Sequence, residues 1–403
     1  MGCVIPTHLH ITIIKLTLNP HTMNLHQLWL ITRYSFTEIW RNKTFRVAFM
    51  VLIPLLIAYQ VSFQSDMFNI PVEYTLVLSS FIPTQNAYMF NLLLVFPLAT
   101  MGFWVHKQKK YNTLEALLVH PQGNDTYSTG FILGIIIAFM IMGSISLALA
   151  GLINLFASPT SFRPLIYLFY LVTLILPTIV FIVGITSFLA ARCFKNGTVT
   201  TFFMLVYLSV DILFLSTLYH GLFDPLGILL PYTFSDFTGI ADLPGFLLHR
   251  TTFLLLGIGF ITLAISGLPR IPNKINGRQR AACSGILALF VGLLAGFITY
   301  NHHEQVERRH ALYESVYEKH DSPNKINIIA HDIRFTYQQK EARVESRVSL
   351  YNPTGITLSE IILYLNPSLE VTSIQENLSP VPFTREAQAI VISRPVSPGD
   401  SLA

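Results

Sequence analysis

Histidines and carboxylates gather in one short stretch, His302, His303, Glu304, Glu307 and His310, and metal chemistry would have to be sought there first. The string His303-Glu304-Gln305-Val306-Glu307 comes nearest to H-E-x-x-H, in which two histidines one helical turn apart hold zinc while the glutamate activates water. Glu307 stands where the second histidine belongs. The stretch therefore reads as a solvated, alternately charged linker, and neither catalytic nor metal-ligating residues are expected in this chain. G-x-x-x-x-G-K-[ST] does not occur either, so the chain has no such loop to cradle nucleotide phosphates.

The remaining polar groups of interest lie inside apolar runs. Asp211 falls near the middle of one, where a carboxylate is costly. It reads as a group facing the bundle interior or as a structural hydrogen-bonding group between helices. With no basic partner in the neighbouring runs, the structural reading is preferred. Asn91 and Asn154 are read as interhelical hydrogen-bonders, and Pro54, Pro97 and Pro177 as kinks of the kind membrane bundles tolerate.

The elements that must position these groups are long and apolar. The chain of 403 residues is 52% hydrophobic and 12% charged, with a mean hydropathy of +0.53. A hydrocarbon layer of about 30 Å needs roughly 20 apolar residues in a helix. Seven runs qualify: 47–63, 87–105, 130–156, 165–190, 199–219, 251–268 and 282–300. The loops between them alternate in charge. Arg33, Arg41, Lys43 and Arg46 precede the first run, Lys107, Lys109 and Lys110 follow the second, Arg192 and Lys195 the fourth, and Arg270, Lys274, Arg278 and Arg280 the sixth. The intervening segments are poor in Lys and Arg: 65–85 and 220–249 contain none, and 158–164 holds a single Arg163. By the positive-inside rule the N-terminus is cytoplasmic and residues 301–403 are extracytoplasmic. The net charge of +4 thus serves orientation, not nucleic-acid binding. Cys3, Cys193 and Cys283 make no disulfide framework.

Two flanking pieces complete the first part. Residues 25–45 form an amphipathic helix, with Leu28, Ile31, Tyr34 or Ser35, and Ile39 at helical spacing, Trp29 and Trp40 as interfacial anchors, and Arg33 and Arg41 among them. The loop 106–129 holds a short helical stretch whose Leu114, Leu117 and Leu118 make an apolar face, ended by Pro121-Gln122-Gly123-Asn124. Exposed leucines on a short helix call for a partner surface or for packing back on the bundle.

Residues 24–268 resemble the membrane subunit of type-2 ABC exporters. The amphipathic helix, six runs, a Leu-Glu-Ala-Leu-Leu-x-x-Pro loop after the second run and a hydrophobic external segment before the sixth carry the resemblance. It implies that Thr113, Leu114, Glu115, Leu117, Leu118 and Pro121 form a coupling helix docking on a separate ATPase, with Glu115 the foremost polar contact. It implies that Trp29, Arg33, Trp40 and Arg41 belong to a connecting helix, and that the segment 222–248 forms re-entrant half-helices. ATP and Mg would sit on the partner ATPase subunits, with no cofactor bound by this chain.

From residue 326 the hydrophobic period becomes two. Ile333, Phe335 and Tyr337 alternate with polar residues, as do Val344, Val348 and Leu350. Further runs at 360–365, 370–375 and 389–394, separated by turn signals, read as antiparallel strands with one face packed and one wet. Arg347-Val348-Ser349-Leu350-Tyr351-Asn352, Ile362-Leu363-Tyr364-Leu365-Asn366-Pro367 and Pro398-Gly399-Asp400 resemble the N-terminal β domain of aminopeptidase N-like zinc metallopeptidases. That domain normally continues past this point, so the β domain is expected to be incomplete.

The sequence thus predicts a polytopic α-helical membrane protein with a C-terminal extracytoplasmic antiparallel β-sandwich-like domain. Its parts are a leader or mis-assigned start at 1–22, a connecting helix at 23–45, a six-span permease domain at 46–268, a basic loop and seventh span at 269–300, a charged helical linker at 301–325 and the β domain at 326–403. The expected role is the permease subunit of an ATP-driven exporter in a bacterial inner membrane, partnered by cytosolic ATPase subunits, a second permease copy (the same chain or a sister) and the lipid bilayer. The alternative is a membrane-anchored zinc aminopeptidase-like protein, or a fragment or relic of one, whose catalytic domain is missing from this chain.

Overall fold

The computed structural model describes residues 25–64, 79–100, 124–157, 161–228, 234–236, 239–240, 242–267, 275–338 and 341–402. The leader 1–22 and all six proposed coupling residues, Thr113 to Pro121, lie outside the described residues. The chain divides into two compact units, Met1–Asn301 and His302–Ala403.

The first unit is helical. In order come α1 (Leu25–Arg41), α2 (Lys43–Gln64), α3 (Phe81–Ala99), α4 (Asn124–Ala157), α5 (Pro164–Cys193), α6 (Gly197–Leu213), α7 (Leu243–Ser266) and α8 (Ile275–His320), the last running on into the second unit. Five helices among the described residues, α2, α4, α5, α7 and α8, are long and apolar enough to cross a membrane. The expected seven spans are thus matched in part. α3 has 19 residues. α6 has only 17, spanning about 25 Å, and the rest of the expected run 199–219 tightens into a 3₁₀ turn, Leu215–Gly221.

Local chemistry sets the helix starts. Asn196 accepts a hydrogen bond from Thr198 N at 3.0 Å and caps α6. Asp242 accepts from Gly245 N at 3.1 Å, with Pro244 in the first turn, and so starts α7 eight residues before the run expected at 251. That shift carries His249 and Arg250 inside the helix.

In lipid the attraction between helices comes from close packing and hydrogen bonds, and small residues permit both. Gly184 of α5 meets Gly257 of α7 backbone to backbone, and a Cβ on Gly257 would lie 2.7 Å from Phe181 N. Gly259 of α7 and Gly285 of α8 play the same part, facing Leu289 and Thr262. Outward faces carry exposed Phe202 and Leu213 on α6 and Phe290 and Leu293 on α8, an apolar belt that suits hydrocarbon better than water.

The second unit contains the end of α8 and eight short or hairpin strands: β1 (Asn327–Gln338), β2 (Glu341–Tyr351), β3 (Ile361–Tyr364), β4 (Gln375–Glu376), β5 (Ser379–Pro380), β6 (Phe383–Glu386), β7 (Ala389–Ile392) and β8 (Ser401–Leu402). They pair antiparallel in three sheets, β1-β2-β8, β3-β7-β6 and β4-β5. Leu350, Ile361, Ile390, Ile392 and Val396 form the core. Tyr317 of α8 tilts against Tyr364, and Lys319 and His320 bond Glu386. Asn352 holds the turn after β2, accepting from Thr354 N at 3.0 Å. Two expectations are corrected here. The run 370–375 is irregular, with only Gln375–Glu376 paired. The hairpin β1-β2 packs only near its base, at Val348 and Leu350, while its distal apolar side chains Ile333, Phe335 and Val344 are exposed.

Candidate functional site

The most heavily bonded polar cluster in the helical unit surrounds Arg250. Its origin is a defect in α5. Residues Leu171–Ile175 form a π turn, in which Leu176 N reaches back five residues to Leu171 O, and Pro177 follows. Proline has no N–H to return to the carbonyl four residues earlier, Thr173 O. Arg250 supplies the missing donor, with Nε 3.2 Å from Thr173 O. Its Nη2 donates to Leu174 O at 3.0 Å and to Thr178 Oγ1 at 2.7 Å, and Nη1 and Nη2 both donate to Pro225 O at 3.2 Å. The fork geometry of guanidinium suits such divergent acceptors.

Asn91 of α3 closes the cluster. Its Nδ2 donates to Leu226 O at 2.9 Å, Thr178 Oγ1 at 3.1 Å and Leu174 O at 3.3 Å. The turn 222–227 is itself fixed by Asp224, whose Oδ1 accepts from Leu226 N at 3.0 Å and Gly227 N at 2.8 Å. Gly227 has φ +72°, the left-handed region that favours glycine, and a Cβ there would also press on Leu174. His249 Nε2–H donates to Gly221 O at 2.8 Å. Irregular backbone inside a helical bundle is tolerated where protein buries it and satisfies it. Arg250, Asn91 and Thr178 do so here, tying α3, α5 and α7 to one non-helical turn.

A second cluster joins three loops. Asp236 accepts from Ser79 Oγ at 2.6 Å and Ser79 N at 2.9 Å, and pairs with Arg163 Nη1 at 3.3 Å. The Ser79 donors, and then the Arg163 charge, hold its carboxyl below the usual carboxylate range. Ser80 Oγ donates to Phe234 O, and Phe234 N donates to Tyr170 Oη at 3.2 Å. Arg163, the exception in the charge alternation, is thus neutralised.

A third feature is the seat of α1 on the first turns of α4. A Cβ on Gly130 would come 2.8 Å from Ile31 Cγ2, and one on Gly134 2.7 Å from Ser35 Cβ and 2.9 Å from Phe36 N. Thr32, Ser35 and Ile39 are buried in this seam. Trp40 stacks with Phe36 and tilts against Phe45 and Phe49, with ring centroids 5.6 Å apart in each case.

The sequence-derived residues fall as follows. Trp29, Arg33 and Arg41 project from the exposed side of α1, and Trp40 is half-buried. Of the alternatives Tyr34 and Ser35, the buried one is Ser35. Asn154 Nδ2 donates to Tyr167 Oη at 2.9 Å. Asp211 is fully buried, yet neither carboxylate oxygen has a hydrogen-bond partner among the described residues, so the interhelical bridge preferred for it is not made. The half-helices expected over 222–248 are absent among the described residues, where 222–228 are turns, Ser235 bridges Gly239, and helix begins at Leu243. Arg250, Asp224, Thr178 and His249 escaped the sequence reading. The signal for Arg250 was Pro177, a deleted donor beside the hydroxyl of Thr178. Among the described residues, no group of three His, Cys, Asp or Glu is placed to hold a metal ion.

No family model matches this chain. No curated protein matches it either.

Proposed function

We propose that the chain is the membrane-spanning permease subunit of an ATP-driven exporter, working with separate cytosolic ATPase subunits and a second permease copy. The observation that supports this reading best is the α1–α4 seam. α4 begins at Asn124, directly after the proposed docking residues Thr113 to Pro121, and its first turns are locked to α1 through Gly130 and Gly134. A push on the docking loop would reach both helices as one body, which is how small displacements drive shear or hinge motion of packed helices. The basic residues Arg192, Lys195, Arg278 and Arg280 favour a cytoplasmic side for that end of the bundle under the positive-inside rule, where ATP is available, with residues 302–403 extracytoplasmic in this reading.

The test is co-purification. The tagged full chain, extracted from native membranes in mild detergent, is expected to bring Mg-dependent ATPase activity with it, and Glu115→Arg is expected to lose that activity while still inserting. An eluate with no more ATP hydrolysis than an untagged control overturns the proposal.

A further inference from the structure

β1 is the free edge of its sheet, which runs β1-β2-β8. Residues 327–336 of this strand are exposed throughout. Ile333 is 56% and Phe335 63% exposed, and Val344, opposite Phe335 on β2, 45%. Natural proteins blunt long apolar edges with proline, bulges or a cover, because unpaired backbone groups recruit another strand. Here the pairing with β2 is irregular only at Ile328/Ala330, and no proline occurs from Ala330 to Thr336.

The charges on this strand name the recruit. Asp332 and Arg334 flank Ile333, and among the described residues neither makes an ion pair within the chain. A second β1 laid antiparallel, with the two-fold axis at Ile333, sets Asp332 opposite the partner's Arg334 and Arg334 opposite the partner's Asp332. The neighbouring register extends the pattern, because Asp332 faces Arg347 and Arg334 faces Glu345 on β2. Each row across the four strands then alternates in sign: Arg347, Asp332, the partner's Arg334, the partner's Glu345. On the opposite face Ile333 meets the partner's Ile333 and Phe335 meets the partner's His331. A two-fold interface must be self-complementary, and this strand is so in both charge and hydrophobicity.

We propose that β1 is a homodimer interface, joining two copies of this chain edge to edge in an antiparallel register centred on Ile333. The inference stands apart from the transport reading, since it concerns the second unit and no ATPase. Directly opposed antiparallel residues have Cα atoms about 4.5–5.5 Å apart, within the range a disulfide spans. In the full chain with Cys3, Cys193 and Cys283 replaced by serine, Ile333→Cys is expected to give a covalent dimer in membranes treated with copper phenanthroline. Thr336→Cys is expected to give none, because its two copies would sit about 20 Å apart along the strands. Asp332→Arg and Arg334→Asp, each made in the Ile333→Cys chain, should each cut the cross-link about tenfold by opposing like charges twice. Co-expressing those two chains should restore it as a heterodimer. Both charge changes lie on an exposed strand, and unchanged thermal unfolding of each single variant verifies the fold. Absence of an Ile333→Cys dimer overturns the proposal, whether that cysteine labels freely with maleimide or is shielded by some other strand. Equal cross-linking from Thr336→Cys, or no sensitivity to the charge changes, overturns the register and with it the interface.

Discussion

Replacing Arg250 by methionine keeps a long side chain in α7 and deletes every guanidinium donor. Four acceptors are affected, but not equally. Leu174 O and Thr178 Oγ1 stay within reach of Asn91 Nδ2, and the single Thr178 hydroxyl hydrogen can serve Pro225 O. Thr173 O loses the donor that Pro177 cannot replace. One stranded buried carbonyl costs about 1–3 kcal/mol, and lost charge-assisted bonds add about 1.5–3 kcal/mol each. Relief from burying the charge offsets part of this, leaving a net loss of roughly 2–4 kcal/mol. At about 2–4 °C per kcal/mol, the unfolding midpoint of the detergent-solubilised chain should fall by roughly 4–16 °C. Arg250→Lys should fall by a similar amount, because a point charge on a flexible stem cannot serve acceptors on α5 and on the turn at Pro225 together. Thermal scanning of the three chains in one detergent decides it. If the lysine chain melts within about a degree of the native one while the methionine chain does not, charge and not fork geometry holds the cluster, and the reasoning fails.

Three further outcomes are expected. Gly257→Ala should destabilise the helical unit by about 1–3 kcal/mol, since its Cβ would meet the α5 backbone; a midpoint equal to the native one would mean the helices part without cost. Ile392→Ala, in the centre of the β core, should cost about 2–5 kcal/mol in the second unit, read by urea unfolding of that unit's signal within the full chain. Asp236 has a folded pKa depressed below the ordinary 3.8, so its contribution is complete at neutral pH and disappears as the pH falls through that lowered value. Asp236→Asn should therefore flatten the acid limb of the stability profile below about pH 5; a profile superimposable on the native one would count against the Ser79–Arg163 bonds.

Periodicity carried much of this architecture, and its failures share a cause. Leu28, Ile31, Ser35 and Ile39 announce the buried stripe of α1 because helical spacing is local information. The glycines that receive it, Gly130 and Gly134, lie about a hundred residues away and show no local sign of their partner. Arg250 was placed outside its helix because a charge counts against an apolar run, whereas its acceptors are mostly backbone carbonyls, which any sequence could supply. Alternation found β1 and β2, and short apolar runs bounded by turn signals found β3 and β7. Alternation records which side chains share a face, and it cannot say whether anything covers that face, hence the unforeseen exposure of Phe335. That neither oxygen of Asp211 meets a donor among the described residues was equally illegible, since a donor's placement is a property of the neighbours.

The dependence of Arg250 on Pro225 and Thr173 bears on biogenesis. A guanidinium seven residues into α7 emerges from the ribosome after α5 and the 222–227 turn, so its acceptors are synthesised before it. Partitioning it into lipid alone would cost about 2.5–3.5 kcal/mol on insertion scales. In a membrane-inserted bundle, lateral release of α7 would therefore be favoured once the earlier turn has folded, and the arginine would act as a checkpoint on the order of assembly.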